Sequence, residues 1–548
     1  MSQGGETRDR TAVEAPRRHP AFFSVGILAL IAPLCVLGAI IGTQLIVTLG
    51  ITTNTSLIGA LAAMALARLP AAAFSRYRSI HVQNLAQSAI SAATFGAGNA
   101  LLLPLGIPFL MGRADLVLPM FIGVFLAMLV DGVMLYRMFD SELFPARGAW
   151  PPGVAAAEAI RAGDEGGRRL GVLGLGLAVG VAGSLLKIPM SAFGVAFIGN
   201  IWALIMFGVG LLVRGYSTTL FNNDVFAALI PGGDIARVNA PQGFMVGAGI
   251  VALVQVVILI LRKEKVAPSA GARRIADVRR SMGVGSATFV IIAGLIAFMG
   301  GLWSELSVPM LIAFIVYAAF AALAHELIVG LAAMHSGWFP AFGVAVVTLA
   351  IGILIGFPPV ALTLLVGFSA ATGPAFADMG YDLKAGFILR GPDADPAFEA
   401  EGRKQQLFAA MFAFVVAGIV VLFSYKFYFA NNLVAPIVKA YVASIKAGAS
   451  PDVAKQLLMW AIPGAALQFL GGPQRQMGVL FATGLLLVSP IAGWAVLVGI
   501  ALRILWIRFG PAAMRSDMEV FAGGVIAGDA LYSFYDMGAR YLALRSKP

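Results

Sequence analysis

Ala21-Phe-Phe-Ser-Val25-Gly-Ile-Leu-Ala-Leu30-Ile-Ala-Pro-Leu-Cys35-Val-Leu-Gly-Ala-Ile40-Ile-Gly-Thr-Gln-Leu45-Ile-Val-Thr-Leu-Gly50 decides the fold class of this chain. It holds no charged residue, and about 20 apolar residues already span a bilayer. It is too long for a signal-peptide core and has no clear cleavage site, so it reads as a signal-anchor helix, tilted or broken. Further apolar runs follow near 54–72, 82–111, 115–138, 169–190, 191–213 and 241–261. They resume near 283–304, 307–333, 338–357, 359–377, 406–430, 453–470, 477–508 and 516–536. Residues of the AVILMFWYC set make up 59% of the 548 and charged residues 12%. A soluble domain carries about 25% charged residues, so this chain lacks the polar surface to coat a water-soluble particle. The expected fold is an all-α polytopic membrane protein of about 16 helices and half-helices.

The net charge of +11 has a topological explanation, because Lys and Arg gather in cytoplasmic loops. No basic domain outside the membrane is long enough to bind nucleic acid. Cys35 is the only cysteine, and the four histidines are scattered. Neither a disulfide nor a structural metal site is expected, and no cofactor.

Two polar stretches punctuate the chain: residues 1–20, read as a disordered cytoplasmic tail, and 262–282, a basic cytoplasmic linker. They leave a first transmembrane repeat at 21–261, a second at 283–540 and a C-tail at 541–548. The repeat is carried by recurring segments. Pro151-Pro-Gly-Val-Ala155-Ala-Ala-Glu-Ala-Ile160-Arg-Ala-Gly163 and Pro436-Ile-Val-Lys-Ala440-Tyr-Val-Ala-Ser-Ile445-Lys-Ala-Gly448 share one frame, 285 residues apart, and both look like half-helices. Ser91-Ala-Ala-Thr94 recurs as Ser369-Ala-Ala-Thr372, and the stretch after Gly243 resembles that after Glu519. Such duplication is common in secondary transporters. Basic residues in the N-tail, the linker and the C-tail (Arg540, Arg545, Lys547) put both termini in the cytoplasm and give the two repeats the same orientation.

No Gly-Lys dipeptide and no G-x-S-x-G motif occur, which removes a Walker A loop and a nucleophile elbow. What remains is ionisable residues in apolar runs, where each costs at least about 2.5–3.5 kcal/mol and so faces a cavity or a partner. Asp131 is framed most deeply and reads equally as a proton or cation site or as a bond to a neighbouring helix end. Glu158 sits in the alanine-rich half-helix, where Arg161 can pair with it at i,i+3. His325 and Glu326 form a possible proton-carrying pair or a partner-satisfied one. Phe376-Ala-Asp378-Met-Gly-Tyr-Asp382-Leu-Lys384-Ala-Gly386 is expected to be irregular backbone lining a substrate path. Gln87 and Asn99 are neutral groups able to bind a peptide backbone. Lys439 and Asp529 are weaker candidates.

At Trp150–Gly167 the sequence resembles the oligopeptide transporter (OPT) superfamily, particularly its prokaryotic branch, related to the yellow stripe-like metal-chelate transporters. Ala377–Gly386 followed by Arg403-Lys-Gln-Gln406 is similar to that family's acidic stretch and glutamine-bearing helix, and Phe521–Leu531 to its C-terminal glycine-rich helix. Pro152, Leu383 and Ala385 depart from the pattern at positions that bear on substrate class. The resemblance implies a secondary active importer of short peptides or peptide-like metal chelates in a bacterial inner membrane. It also implies symport with protons by alternating access, and a homodimer is compatible with it. The other readings are a passive channel and, further off, an intramembrane lipid-modifying enzyme, for which no cluster of acids, metal ligands or nucleophile with base is apparent.

Overall fold

The computed structural model describes residues 18–49, 77–165, 167–261, 273–337, 341–448, 451–509 and 517–545. The run expected at 54–72 lies outside them. The described chain is built of helices, nine of which are long and apolar enough to cross a membrane; five shorter apolar helices accompany these.

The first set comprises α1 (Val25–Leu49), α2 (Ile80–Phe95), α3 (Leu103–Leu110), α4 (Val117–Met138), α5 (Pro151–Glu165), α6 (Gly167–Leu185), α7 (Met190–Val195), α8 (Ile201–Gly215) and α9 (Ala240–Leu261). Then come α10 (Ile275–Met299), α11 (Val308–Ser336), α12 (Ala341–Ile355), α13 (Pro359–Ala371) and α14 (Pro374–Arg390). The chain continues with α15 (Pro396–Ala430), α16 (Pro436–Ala447), α17 (Pro451–Arg475), α18 (Met477–Leu486), α19 (Pro490–Phe509) and α20 (Asp517–Arg545). Local chemistry sets several starts. Prolines open α13 to α17, where a missing N–H costs nothing. Asp395 caps α15 by accepting from the Phe398 amide at 3.1 Å, and Asn200 caps α8 likewise.

Both half-helices expected from the repeat are present, as α5 and α16. The tail is shorter than expected: His19 is buried against His81 and Phe398, and the Phe22 amide donates to Gln405 Oε1 at 2.7 Å. The linker is shorter too, since α10 begins at Ile275.

Two long buried elements are broken in mid-course. Between α2 and α3 the backbone widens into a π-helical stretch, Gly96–Leu102. Between α13 and α14 it breaks at Thr372–Gly373, where Gly373 has φ +97°, a conformation that favours glycine. The stretch 376–386, expected to be irregular, is continuous helix inside α14; the irregularity comes just before it.

These two broken elements carry the recurring Ser-Ala-Ala-Thr segments, and they run antiparallel. Gln87 meets Asp382, Ser91 meets Asp378, and Pro104 faces Gly367. As numbers rise on one element they fall on the other. The helices that follow, α4 and α15, repeat the relation: Gly132 lies against Met411 and Phe414, and Gly418 against Phe125. The two repeats are therefore inverted, and the same-orientation arrangement expected from charge is corrected. The physical reason is α10, an additional crossing that stands between the sets. It is antiparallel to α4, with Gly123 against Ile296 and Gly285 against Met134. An odd crossing turns the second set over, and α1 finds its counterpart in α11.

α20 starts beside Arg168, whose guanidinium bonds Asp517. Nearby, Arg161 of α5 bonds the Ile388 carbonyl at the end of α14. That end lies on the N-tail face, because α14 is antiparallel to α2 and His19 stacks on His81 at the start of α2. α20 therefore starts on the N-tail face.

The buried side chains fall into two main cores. One joins α1–α4 to α10–α16 and encloses the broken elements. The other is formed mainly by α7–α9 and α18–α20. In the second body, helices from opposite repeats meet backbone to backbone. Gly176 and Gly180 of α6 lie on Gly524 and Gly528 of α20, and Gly243 and Gly247 of α9 lie on α17. Small residues permit this approach, which packing alone must hold where lipid tails are as apolar as the side chains.

Candidate functional site

The site lies where the polar face of α2 meets α14. Asn84, Gln87, Ser88 and Ser91 recur at helical spacing, so one face of α2 is polar although the helix is buried throughout. Opposite stand Asp378 and Asp382, one turn apart on α14. Ser91 Oγ donates to Asp378 Oδ1 at 2.5 Å, and Gln87 Nε2 donates to Asp382 Oδ1 at 2.7 Å. Asn84 Nδ2 donates to Gln87 Oε1 at 2.9 Å, which orients the Gln87 amide. The second oxygens, Asp378 Oδ2 and Asp382 Oδ2, are buried without a hydrogen-bond partner.

Gln406 of α15 closes the third side. Its Nε2 donates to Ser88 Oγ at 3.1 Å and to the Asp382 carbonyl at 2.6 Å. Its Oε1 accepts from Arg390 Nη1 at 2.9 Å, and Glu399 binds the remaining guanidinium nitrogens of Arg390. Arg390 can lie flat there because Gly386 and Gly402 carry no side chain; a Cβ on either would collide with it. Arg403 also reaches Glu399, at 3.3 Å, and Asp140 at 3.7 Å. An ion network thus fixes Gln406, and Gln406 fixes the carboxylate-bearing turn of α14.

A second group surrounds the Thr372–Gly373 break. Asp131 Oδ2 accepts from the Gly373 amide at 2.8 Å while Oδ1 has no partner. One oxygen of Asp131 thus makes the bond to a helix end that is one of its two expected readings. His325 Nδ1 lies 3.2 Å from Ser369 Oγ, which donates to Thr348 Oγ1 at 3.1 Å. Glu326 is fully buried and neither of its oxygens has a hydrogen-bond partner. From Gly373 to Asp378 to Asp382 the rise of α14 is about 1.5 Å per residue, so the two acidic groups lie within about 14 Å of one another along that helix.

The other candidates lie apart. Glu158 pairs with Arg161 at 3.5 Å and with Arg169, tying α5 to α6. Asp529 accepts from Ser184 Oγ, Ser191 N and Ser191 Oγ, joining α20 to α6 and α7. Lys384 Nζ donates to the Ala146 carbonyl at 2.9 Å, away from the aspartates beside it. Asn99 is half-buried in the π-helical stretch, and Lys439 is exposed. No group of three or more His, Cys, Asp or Glu able to hold a metal ion occurs among the described residues.

The family model described as OPT oligopeptide transporter protein matches the sequence twice, over residues 25–269 and 260–538. The chain belongs to the OPT family. No curated protein matches it. Membership makes it an integral membrane protein of a peptide-transporter family, with two copies of the family's domain in one chain. The stretches 377–386 and 403–406, which carry the resemblance in sequence, meet in the site through Asp382 and Gln406. Ser88, Ser91, Arg390, Glu399 and Gln406 were not among the expected site residues. For the serines the signal was present in the 84, 87, 88, 91 spacing, and for Gln406 in a neutral amide within an apolar helix.

Proposed function

We propose that the chain imports short peptides or peptide-like metal chelates by proton symport and alternating access. One observation carries the reading: four fully buried carboxyl groups, Asp131, Glu326, Asp378 and Asp382, each keep at least one oxygen without a partner beside a broken helix pair. Transporters build such sites from discontinuous helices at the meeting of two repeats. A charge moving through 100 mV yields about 2.3 kcal/mol, enough to drive accumulation. The amide-rich face of Asn84, Gln87 and Gln406 suits a peptide backbone, which needs donors and acceptors together. Inversion of the repeats supports alternating access, since exchanging the conformations of the halves turns the opening to the other face.

The test uses purified protein in liposomes with an inward proton gradient, offered a pool of di- to hexapeptides and iron chelates. Accumulation of one class that collapses with the gradient supports symport. Entry that is equal with and without the gradient refutes proton coupling, and currents far above carrier turnover refute the carrier reading in favour of a channel.

A further inference from the structure

We propose that the break between α13 and α14 is a proton-binding switch, in which Glu326 takes and gives up the proton and Asp131 ties that event to the helix break. The inference rests on the proton-coupled reading above and names the residue that performs the coupling.

The geometry centres on one peptide. The Gly373 amide is held by Asp131 Oδ2. The stretch of α11 that carries Glu326 is seated on the same spot: Thr372 Oγ1 donates to the Ala322 carbonyl at 3.3 Å, one turn before Glu326, and Val329, about one turn after, packs on Gly373. Glu326 is therefore clamped against the break from both sides along its own helix. The charged or titratable group that acts on it electrostatically from a neighbouring helix is Asp131 of α4. His325 beside it engages Ser369. What α12 and α13 present here are the hydroxyls of Thr348 and Ser369, which bond one another.

A carboxylate anion without a donor, in an apolar interior and beside a second carboxyl, carries a penalty of several kcal/mol. The arrangement seen is thus compatible with Glu326 as the neutral acid. Loss of its proton creates an anion that has to find water or a donor. The structure offers one adjustable element for this, the Thr372–Gly373 break, whose freed amide is already occupied by Asp131. Deprotonation then makes Glu326 compete with Asp131 for the Gly373 amide and loosens the Asp131 hold on α14. That motion reaches Asp378 and Asp382, which are carried on the same helix. The step moves one proton between solvent and the Glu326 carboxyl oxygen, and no bond other than O–H is made or broken.

Two measurements test this on the full-length protein. Infrared difference spectroscopy of the reconstituted protein across pH is expected to show a protonated-carboxyl band that is absent in Glu326→Gln and retained in Ser184→Ala, a control remote from the break. A band unchanged in Glu326→Gln overturns the assignment. The second measurement is transport of the di- to hexapeptide pool at 100 mV. One proton per neutral peptide permits about 50-fold accumulation in the wild type, from 2.3 kcal/mol at 1.4 kcal/mol per tenfold. Glu326→Gln is expected to equilibrate without accumulating, a ratio of about 1, while exchanging internal for external peptide at the wild-type rate; that exchange also demonstrates that the variant is folded. A variant that accumulates like the wild type at every pH overturns the role of Glu326 alone. A wild type without gradient-driven accumulation overturns the symport reading, whatever the variant does.

Discussion

Glu399→Gln probes the ion network that holds the site. In the wild type, Glu399 neutralises Arg390, whose side chain has 0% exposure, and Arg403, at 5%. Glu399 itself is 9% exposed, so water contributes little on either side. Asp140 is the other acid of the cluster, but it is a quarter exposed and touches Arg403 at 3.7 Å. Replacing the carboxylate with an amide removes the acid that contacts both guanidinium groups and leaves the buried Arg390 cation uncompensated. Breaking one side of a buried pair costs about 3–5 kcal/mol. The amide oxygen still accepts a hydrogen bond, which puts this variant near the lower end, about 3 kcal/mol. If the network is lost in the unfolding transition state, that is about a 150-fold faster unfolding rate. Large membrane proteins unfold irreversibly, so the assay is the half-life of monodisperse protein in detergent at a fixed temperature. The double variant Arg390→Met with Glu399→Met removes both charges and is expected to recover most of the loss. A half-life for Glu399→Gln within twofold of the wild type would refute the reasoning, as would a double variant no better than the single.

Three other outcomes follow from the structure. Gly180→Ala places a methyl against the Val525 carbonyl and is expected to destabilise by about 1–3 kcal/mol, whereas Gly174→Ala, which meets nothing, should be neutral or gain up to about 1 kcal/mol from helix propensity; thermal half-lives of the two compare them directly. Burial, with help from the Arg390 charge, pushes His19 down from 6.5 to about 4. A depressed histidine favours the docked segment above pH 6.5 and loses that contribution as pH falls through about 4, a difference of about 3 kcal/mol. The protection factor of the Phe22 amide, its exchange rate relative to the intrinsic rate at each pH, should fall over that window, and His19→Phe should abolish the dependence. Ser91→Ala strips Asp378 of its donor, at a cost of about 1–3 kcal/mol to the site; peptide uptake with unchanged kcat and KM would remove Asp378 from the transport path.

The membrane class and the helical runs could be read from the sequence because they are properties of composition and length. The site was only partly legible. Asp378 and Asp382 stood out because acids beside an apolar run demand an explanation, and Gln87 because a neutral amide in an apolar run can bind a peptide backbone. Their partners Ser88, Ser91 and Gln406 are neutral, and a neutral group becomes informative only when the helix opposite is known. Glu158 and, more weakly, Asp529 also stood out in sequence, yet Arg161 and Arg169 pair with the one and Ser184 and Ser191 bond the other. The orientation of the repeats failed for a different reason. Charge at three polar segments gives a side for each only if the number of crossings between them is known. The apolar run near 283–304 was counted as the opening of the second repeat rather than as the crossing between repeats.

The backbone contact of α6 with α20 also has a consequence for how the molecule is made. α6 belongs to the first third of the sequence and α20 is the last described helix, so 348 residues separate the glycines that must meet. At about 5–20 residues per second, α6 waits roughly 20–60 seconds after synthesis before its partner exists. Throughout that interval Gly176 and Gly180 face lipid or a chaperone, and the same delay, shorter, applies to α9 and α17. The second body of the transporter therefore closes only after α20 has been made. A chain truncated before Asp517 would insert its helices and still leave this body open, a natural substrate for membrane quality control.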